Sequence, residues 1–488
     1  MTGRRVHPTP IRFGTDGWRA VIADEFTFEN VERVAQAYAD FINTPPRVEA
    51  SLATFRGGAR EVVVGFDRRF MSDSFASCVA QIIVGNDLGV SAFTEDVPTP
   101  LISWTVRDRG AAGGVVITAS HNQWGFNGFK IKSPWGGSAT PETTSGVEAL
   151  IDANAPRRGD ALKINTDLET SVESYRAQVA AYVDLERLRA LAGAVVIDPM
   201  HGAGGRWVES FLRGGRLAVE TIRAERDVLF RGMIAPEPID LNLQPLKQRV
   251  RERGALVGLA TDGDADRVGA VNELGETMTM HEVVPLILLH LARVRGLRGG
   301  VVRTFSQSVL LKRIAAALGL QLHETPIGFK YIADLMLREE ILIGAEESGG
   351  IGVRGHIPER DGILNSLLFL ETVAASGRTP TELVREMHRE FGEFYFGRRD
   401  SQMEVARGLD LVASLGAKPP AVVGAYAVES VETLDGTKLI FGDESWLLFR
   451  QSGTEPALRV YSEATSVEKM NALLDEGCLL AETMKYER

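Results

Sequence analysis

With 488 residues the chain is too long for one ordinary hydrophobic core, and three or four domains are expected. Its 44% hydrophobic and 24% charged residues describe an ordinary globular protein, and a net charge of −11 argues against nucleic acid as the main partner. Small anionic substrates stay open, because they respond to local charge. The two cysteines, Cys78 and Cys478, give neither a metal spacing nor a disulfide framework, which fits a reducing cytoplasm. No apolar run follows the basic residues near Met1, so no signal peptide is expected. The greasiest patch, residues 283–292, is too short to span a bilayer, so no membrane partner is expected either.

In chain order, Phe13-Gly-Thr-Asp-Gly-Trp-Arg19 comes first. Two glycines around Thr15 and Asp16 suggest a turn that offers backbone N–H groups to an anion beside Arg19, or simply a turn. A pattern then recurs at domain scale. Short apolar strands at Val62, Val195 and Val301 each end in a polar loop, helix-like segments follow, and a proline-marked turn comes next at Pro98, Pro236 and Pro326. A second buried strand closes each unit: Val115 to Thr118 before Ser120, Leu256 to Thr261 before Asp262, and Ile341 to Gly344 before Glu346. Similar order and spacing predict three related α/β units, each presenting one polar loop at an equivalent place.

Pattern lapses at residues 152–160, 272–276 and 396–402 set domains at 1–155, 156–272, 273–396 and 397–488. The last has strands near 425–431, 438–441, 446–450 and 458–461, then an amphipathic helix from Ser466 to about Lys485. That is a smaller α+β domain.

The loops carry the chemistry. Thr118-Ala-Ser120-His-Asn122 places a hydroxyl at the carboxyl end of a buried strand, where α/β sheets collect ligands. Such a serine is a nucleophile if something activates it, and otherwise a loop-capping residue. Asp262-Gly-Asp264-Ala-Asp266-Arg267 packs three carboxylates onto a tight turn, and their repulsion calls for a cation such as Mg²⁺. An EF-hand fits poorly, because Arg267 stands where its glycine is required and a strand precedes the loop. Glu346-Glu347-Ser348 could accept hydrogen bonds from sugar hydroxyls, or merely begin a helix. Arg450-Gln-Ser452-Gly453-Thr454, with Arg459 beyond it, suits a phosphate: paired guanidinium donors and a glycine that lets backbone amides approach. Lys130 and Lys330 lie in the same suspect loops. A serine beside a metal, with a second phosphate site, points to phosphoryl transfer through that serine.

These motifs, in this order, resemble the α-D-phosphohexomutase family, in particular its bacterial phosphoglucomutase/phosphomannomutase members, over nearly the whole chain. The resemblance implies three α/β domains with mixed sheets and a smaller C-terminal α+β domain around a central cleft. It implies an isomerase that interconverts hexose 1-phosphate and hexose 6-phosphate through a phosphoserine at Ser120 and a hexose 1,6-bisphosphate. Mg²⁺ would be held by Ser120, Asp262, Asp264 and Asp266, with glucose 1,6-bisphosphate as intermediate and activator. Arg450, Ser452, Gly453, Thr454 and Arg459 would hold the non-reacting phosphate, and Glu346 and Ser348 would read sugar O3 and O4. Arg19, His121, Lys130, Arg267 and Lys330 would stabilise charge or move protons, with Lys130 as the general base. Gln123-Trp124 stands where many members have proline. Gly350 stands where mannose and glucosamine enzymes often have histidine, which favours glucose, unless His356 or Arg360 compensates. The alternatives are mannose or glucosamine phosphate with the same mechanism, or a sensor that binds sugar phosphates without turnover.

Overall fold

The computed structural model describes residues 10–14, 16–44, 60–452 and 456–483. They divide into two compact units: Met1–Thr277 with Gly350–Glu371, and Met278–Gly349 with Thr372–Arg488.

The repeat read from the sequence is a repeat of topology. In the first domain, Gly89–Ala92, Glu61–Phe66, Gly113–Ile117 and Phe126–Lys132 lie side by side in that order. The first three are parallel and the fourth turns back antiparallel. Trp18–Val21 adds an antiparallel edge beyond it. The second domain repeats the plan with Ala218–Thr221, Ala194–Asp198, Val257–Thr261 and Val268–Val271. Again three strands are parallel and the last is antiparallel. In the second unit Leu322–Thr325, Gly300–Thr304 and Ile341–Ala345 form the corresponding parallel set. In each case the loop singled out from the sequence leaves the same strand of the pattern.

Hydrophobicity explains why these strands are central. Val115, Val116 and Ile117 are wholly buried, as are Val257, Leu259 and Ala260. Strands covered on both faces need continuous apolar runs rather than alternation. The first domain's core packs Val62, Val64, Val115 and Ile117 with the helix Phe28–Asn43 and the helix Ser72–Gly85.

The C-terminal sheet is antiparallel throughout: Tyr395–Gln402, Ala457–Ala464, Trp446–Gln451, Thr437–Phe441, Tyr426–Glu432 and Val422–Val423. Its core joins Leu447, Phe449, Leu458 and Val460 to the helices Val405–Ala417 and Val467–Thr483. The stretch 396–402, read as a lapse in pattern, is thus a strand, and the helix that follows went unanticipated. Both carry polar residues on open faces, which masks their period. No helix among the described residues is long and apolar enough to cross a membrane. Cys78 and Cys478 are both unpaired thiols.

Candidate active site

The serine loop is built from its backbone outwards. Gly113–Ile117 runs fully buried to Thr118, and the chain turns sharply at Ser120, whose φ of 51° lies in the left-handed region. That conformation costs an L-residue roughly 1–2 kcal/mol, so the surroundings must enforce it. They do so from both sides of the residue. The Ser120 N–H donates to Thr118 Oγ1 at 2.8 Å, and the Ser120 carbonyl accepts from Arg69 at 2.6 Å.

The acidic loop meets the serine directly. Ser120 Oγ donates to Asp262 Oδ2 at 2.8 Å across 142 residues of sequence. Gly263 makes this approach possible, since a Cβ there would run into the Ser120 carbonyl and Pro236. Asp262, Asp264 and Asp266 are completely buried, and one ligand oxygen from each lies within 4.8 Å of the others. Asp264 is fixed by the start of the helix Thr99–Asp108: Thr99 Oγ1 donates to its carboxylate at 2.8 Å, and the Thr99 N–H donates to its carbonyl at 2.9 Å.

Cations answer part of this charge. Lys130 Nζ sits 2.9 Å from Asp16, 2.9 Å from Asp264 and 3.3 Å from Asp266. Arg360 reaches Asp16 and Asp266, each at 2.9 Å. Burial opposes ionisation of Asp16 and Asp264, but Lys130 prevails in both and holds them below the usual carboxylate range. Asp262 goes the other way: burial and its two aspartate neighbours push it well up. The Oδ1 atoms of Asp264 and Asp266 are buried with no hydrogen-bond partner. Two unpartnered carboxylate oxygens beside a third carboxylate are the donor set of a hard divalent cation, so these residues fit a metal such as Mg²⁺.

The remaining first-unit residues gather at the same centre. His121 Nδ1 lies 3.4 Å from Ser120 Oγ. Burial, with Arg267, Arg19, Lys130 and Arg69 around it, pushes the imidazole well down and keeps it neutral. Arg19 donates to Asn122 Oδ1 at 2.8 Å, and the Arg267 N–H donates to Asp262 Oδ1 at 3.0 Å. Lys130 lies among these carboxylates. Burial works against its charge, but Asp16, Asp264 and Asp266 together raise its pKa. An ammonium so held supplies positive charge beside the triad. His356 is engaged elsewhere, bonded to Asp361 at 2.9 Å and stacked on Trp104.

In the second unit Lys330 follows Gly328 and starts the helix Phe329–Arg338 half-buried. Glu346 is buried and Ser348 half-buried after the strand Ile341–Ala345. Arg450 donates to Asp435 at 3.0 Å and stands opposite Arg459 on the neighbouring strand. Ser452 is buried beside them. Gly453 and Thr454 lie outside the described residues, as does Thr15.

Sequence reasoning missed Asp16 as a counter-ion, Thr99, and the buried pair Asp67–Arg69. Asp16 lay in a motif already singled out. The other three had no local signal, because their partners are distant in the chain.

Known proteins bear on this geometry. Four models of phosphoglucomutase/phosphomannomutase domains match in order: domain I over residues 10–158, domain II over 173–275, domain III over 280–391 and the C-terminal domain over 405–478. The chain belongs to the phosphoglucomutase/phosphomannomutase family, the α-D-phosphohexomutases. A phosphoglucomutase/phosphomannomutase of Thermococcus kodakarensis is 31% identical over 97% of this chain and 99% of its own. A phosphoglucosamine mutase of Halorhodospira halophila is 32% identical over 96% of each. A crystal structure of a candidate phosphomannomutase from Thermus thermophilus is 37% identical, with a TM-score of 0.85 over 98% of this chain and all of its own. As a phosphohexomutase, the enzyme moves a phosphoryl group between the 1 and 6 positions of a sugar through a phosphorylated intermediate.

Proposed function

We propose that Ser120 carries the phosphoryl group, that Asp262, Asp264 and Asp266 hold Mg²⁺ beside it, and that the substrate is a hexose phosphate, glucosamine ahead of glucose. The observation that carries the reading is the Ser120 hydroxyl hydrogen-bonded within a triad of buried carboxylates that retain unpartnered oxygens. Bound there, Mg²⁺ would stabilise the charge on the transferring phosphoryl oxygens.

The chain's own residues do the rest. Phosphoserine gives its phosphoryl group to a sugar hydroxyl: the bond from phosphorus to serine oxygen breaks, a bond to the sugar oxygen forms, and the hydroxyl proton departs. His121, its pKa pushed down by burial and then by the cations around it, takes that proton, and Ser120 Oγ is reprotonated as it leaves. Lys130, Arg19 and Arg267 supply fixed positive charge. The resulting 1,6-bisphosphate turns over, and Ser120 recovers phosphate from the opposite end. Arg450, Ser452, Gly453, Thr454 and Arg459 hold whichever phosphate is not reacting, Glu346 and Ser348 accept from the sugar hydroxyls, and Lys330 assists. One anion clamp can then serve both substrates. The names of relatives such as the Halorhodospira enzyme support glucosamine phosphate, whereas Gly350 in place of a histidine supports glucose phosphate.

The test is turnover of glucosamine, glucose and mannose 1-phosphates with Mg²⁺ and a trace of the matching 1,6-bisphosphate. The 6-phosphates form if the reading is right, and the three rates rank the sugars. Turnover that survives in Ser120→Ala sinks the phosphoserine route, and no turnover of any hexose phosphate would leave only binding.

A further inference from the structure

We infer that Arg69 is a positioning residue for the phosphoryl carrier: its guanidinium clamps the main chain of residues 120–126 and so sets the direction in which the serine hydroxyl points. The inference rests on Ser120 being that carrier.

Arg69 is completely buried, yet it touches neither the acidic triad nor any side chain assigned above to the substrate. All five of its side-chain N–H donors are used. Nε donates to Asp67 Oδ2 at 3.1 Å. One terminal nitrogen donates to the carbonyls of Gln123 at 2.8 Å and Phe126 at 3.2 Å. The other donates to the carbonyls of Ser120 at 2.6 Å and Asn122 at 2.7 Å. Four carbonyls of one short loop therefore converge on a single planar fork, which only arginine offers.

Asp67 completes the clamp. It accepts from Thr118 Oγ1 at 2.6 Å, from Ser72 Oγ at 3.0 Å and from the Arg69 N–H at 3.0 Å. Thr118 Oγ1 in turn accepts the Ser120 N–H. The residue with the left-handed φ thus has its carbonyl held by Arg69 and its N–H held through Thr118 by Asp67. The five hydrogen bonds of the fork act on the geometry of the loop, beside whatever its charge contributes at His121. A fold alone does not require this: Ser120 could relax to an ordinary φ if the two tethers were cut, and the hydroxyl would then leave Asp262.

The test uses the full-length enzyme with Mg²⁺ and the hexose phosphate it turns over best. Arg69→Lys keeps a charge but not the fork. It is expected to lower kcat about 100-fold, the effect of roughly 1 Å of misplacement, with KM changed less than about threefold. Arg69→Ala should regain part of its kcat on adding guanidinium at concentrations that leave the wild type unaffected. Thr118→Val removes the N–H tether together with the hydroxyl's bond to Asp67, leaving the Arg69 fork in place; it should lower kcat several-fold and shorten the lifetime of phosphoserine measured by intact mass. Wild-type kcat in Arg69→Lys overturns the inference. So does a loss that merely tracks the folded fraction, with no guanidinium rescue. If neither Arg69 variant folds, Thr118→Val decides alone: unchanged kcat and phosphoserine lifetime overturn the inference. Ser120→Ala run in parallel separates the two claims, because turnover surviving there breaks the carrier assignment instead.

Discussion

The two units treat charge in opposite ways. In the first, Asp262, Asp264, Asp266, Lys130 and Arg360 are buried and already face one another at fixed distances. In the second, Glu346 and Ser452 are buried, but Lys330, Ser348, Arg450 and Arg459 are half-buried, on a loop, a helix start or sheet strands. A buried, mutually compensated cluster is costly to rearrange, so it suits a reaction that must be the same for every substrate. Half-buried loop residues adapt at little cost, and that suits recognition. Under the proposed function the contrast makes chemistry and sugar choice separable, and that division can be attacked from either side.

The sharpest attack is on the triad. Asp264→Asn should lower kcat by about 10³-fold or more and abolish the response to added Mg²⁺; retained activity with an unchanged Mg²⁺ titration would show that the cluster is not the reaction centre. Next is the recognition side. Arg450→Ala is expected to raise KM roughly 10- to 100-fold, the loss of a charge-assisted phosphate contact, with kcat falling less. An equal fall in kcat would place Arg450 with the chemistry and erase the division.

A smaller effect tests the fit of the acidic loop against the serine. Gly263→Ala puts a methyl group against the Ser120 carbonyl, and overpacking of this kind costs about 1–3 kcal/mol, readable as a lower midpoint in urea.

The second unit also buries charge, at Glu463. Glu463 accepts from His281 at 2.9 Å, from Val309 N–H at 2.8 Å and from Trp446 Nε1 at 3.0 Å. Burial opposes its charge, but His281, the Ser308 hydroxyl and the Val309 N–H hold its pKa down at about 2, against an ordinary 4.5. The folded form therefore binds its proton more weakly than the unfolded chain. The stabilisation is complete above pH 4.5 and disappears as pH falls towards 2, by about 3 kcal/mol. Glu463→Gln should flatten the acid limb of a plot of melting temperature against pH. Smallest of all, Gly350→His should change the ratio of glucose to glucosamine turnover only a few-fold while leaving Mg²⁺ dependence alone, as a change confined to sugar choice would.

Much of this was legible in the residues. Continuous apolar strands running into polar loops gave three related sheets, and three aspartates on one turn gave a cluster that could hold a cation. What stayed hidden were partnerships across the chain. Arg360 and Asp16 stand 344 residues apart, and Arg69 meets the serine loop 51 residues later. Neither arginine has a neighbour in sequence that hints at its target. Lys130 was noticed, but not that its proton affinity is set by Asp16, Asp264 and Asp266 converging from two other segments. The strand Tyr395–Gln402 was lost for a different reason: its run Gly-Arg-Arg-Asp-Ser-Gln follows no apolar alternation, and its place comes from pairing with Ala457–Ala464.

The first unit is not continuous along the chain: it ends at Thr277 and resumes at Gly350–Glu371. The resumed piece carries Glu359, bonded to Lys132 at 2.7 Å, and Arg360 on Asp16 and Asp266. A nascent polypeptide emerging from the ribosome would therefore expose Asp16, Lys132 and the acidic loop well before their last counter-charges exist. Synthesis must traverse an intervening stretch of the other unit first. A product terminated at Thr277 would keep Ser120 and the triad, yet lack the closing arginine, and expression of that half alone should give a poorly assembled centre.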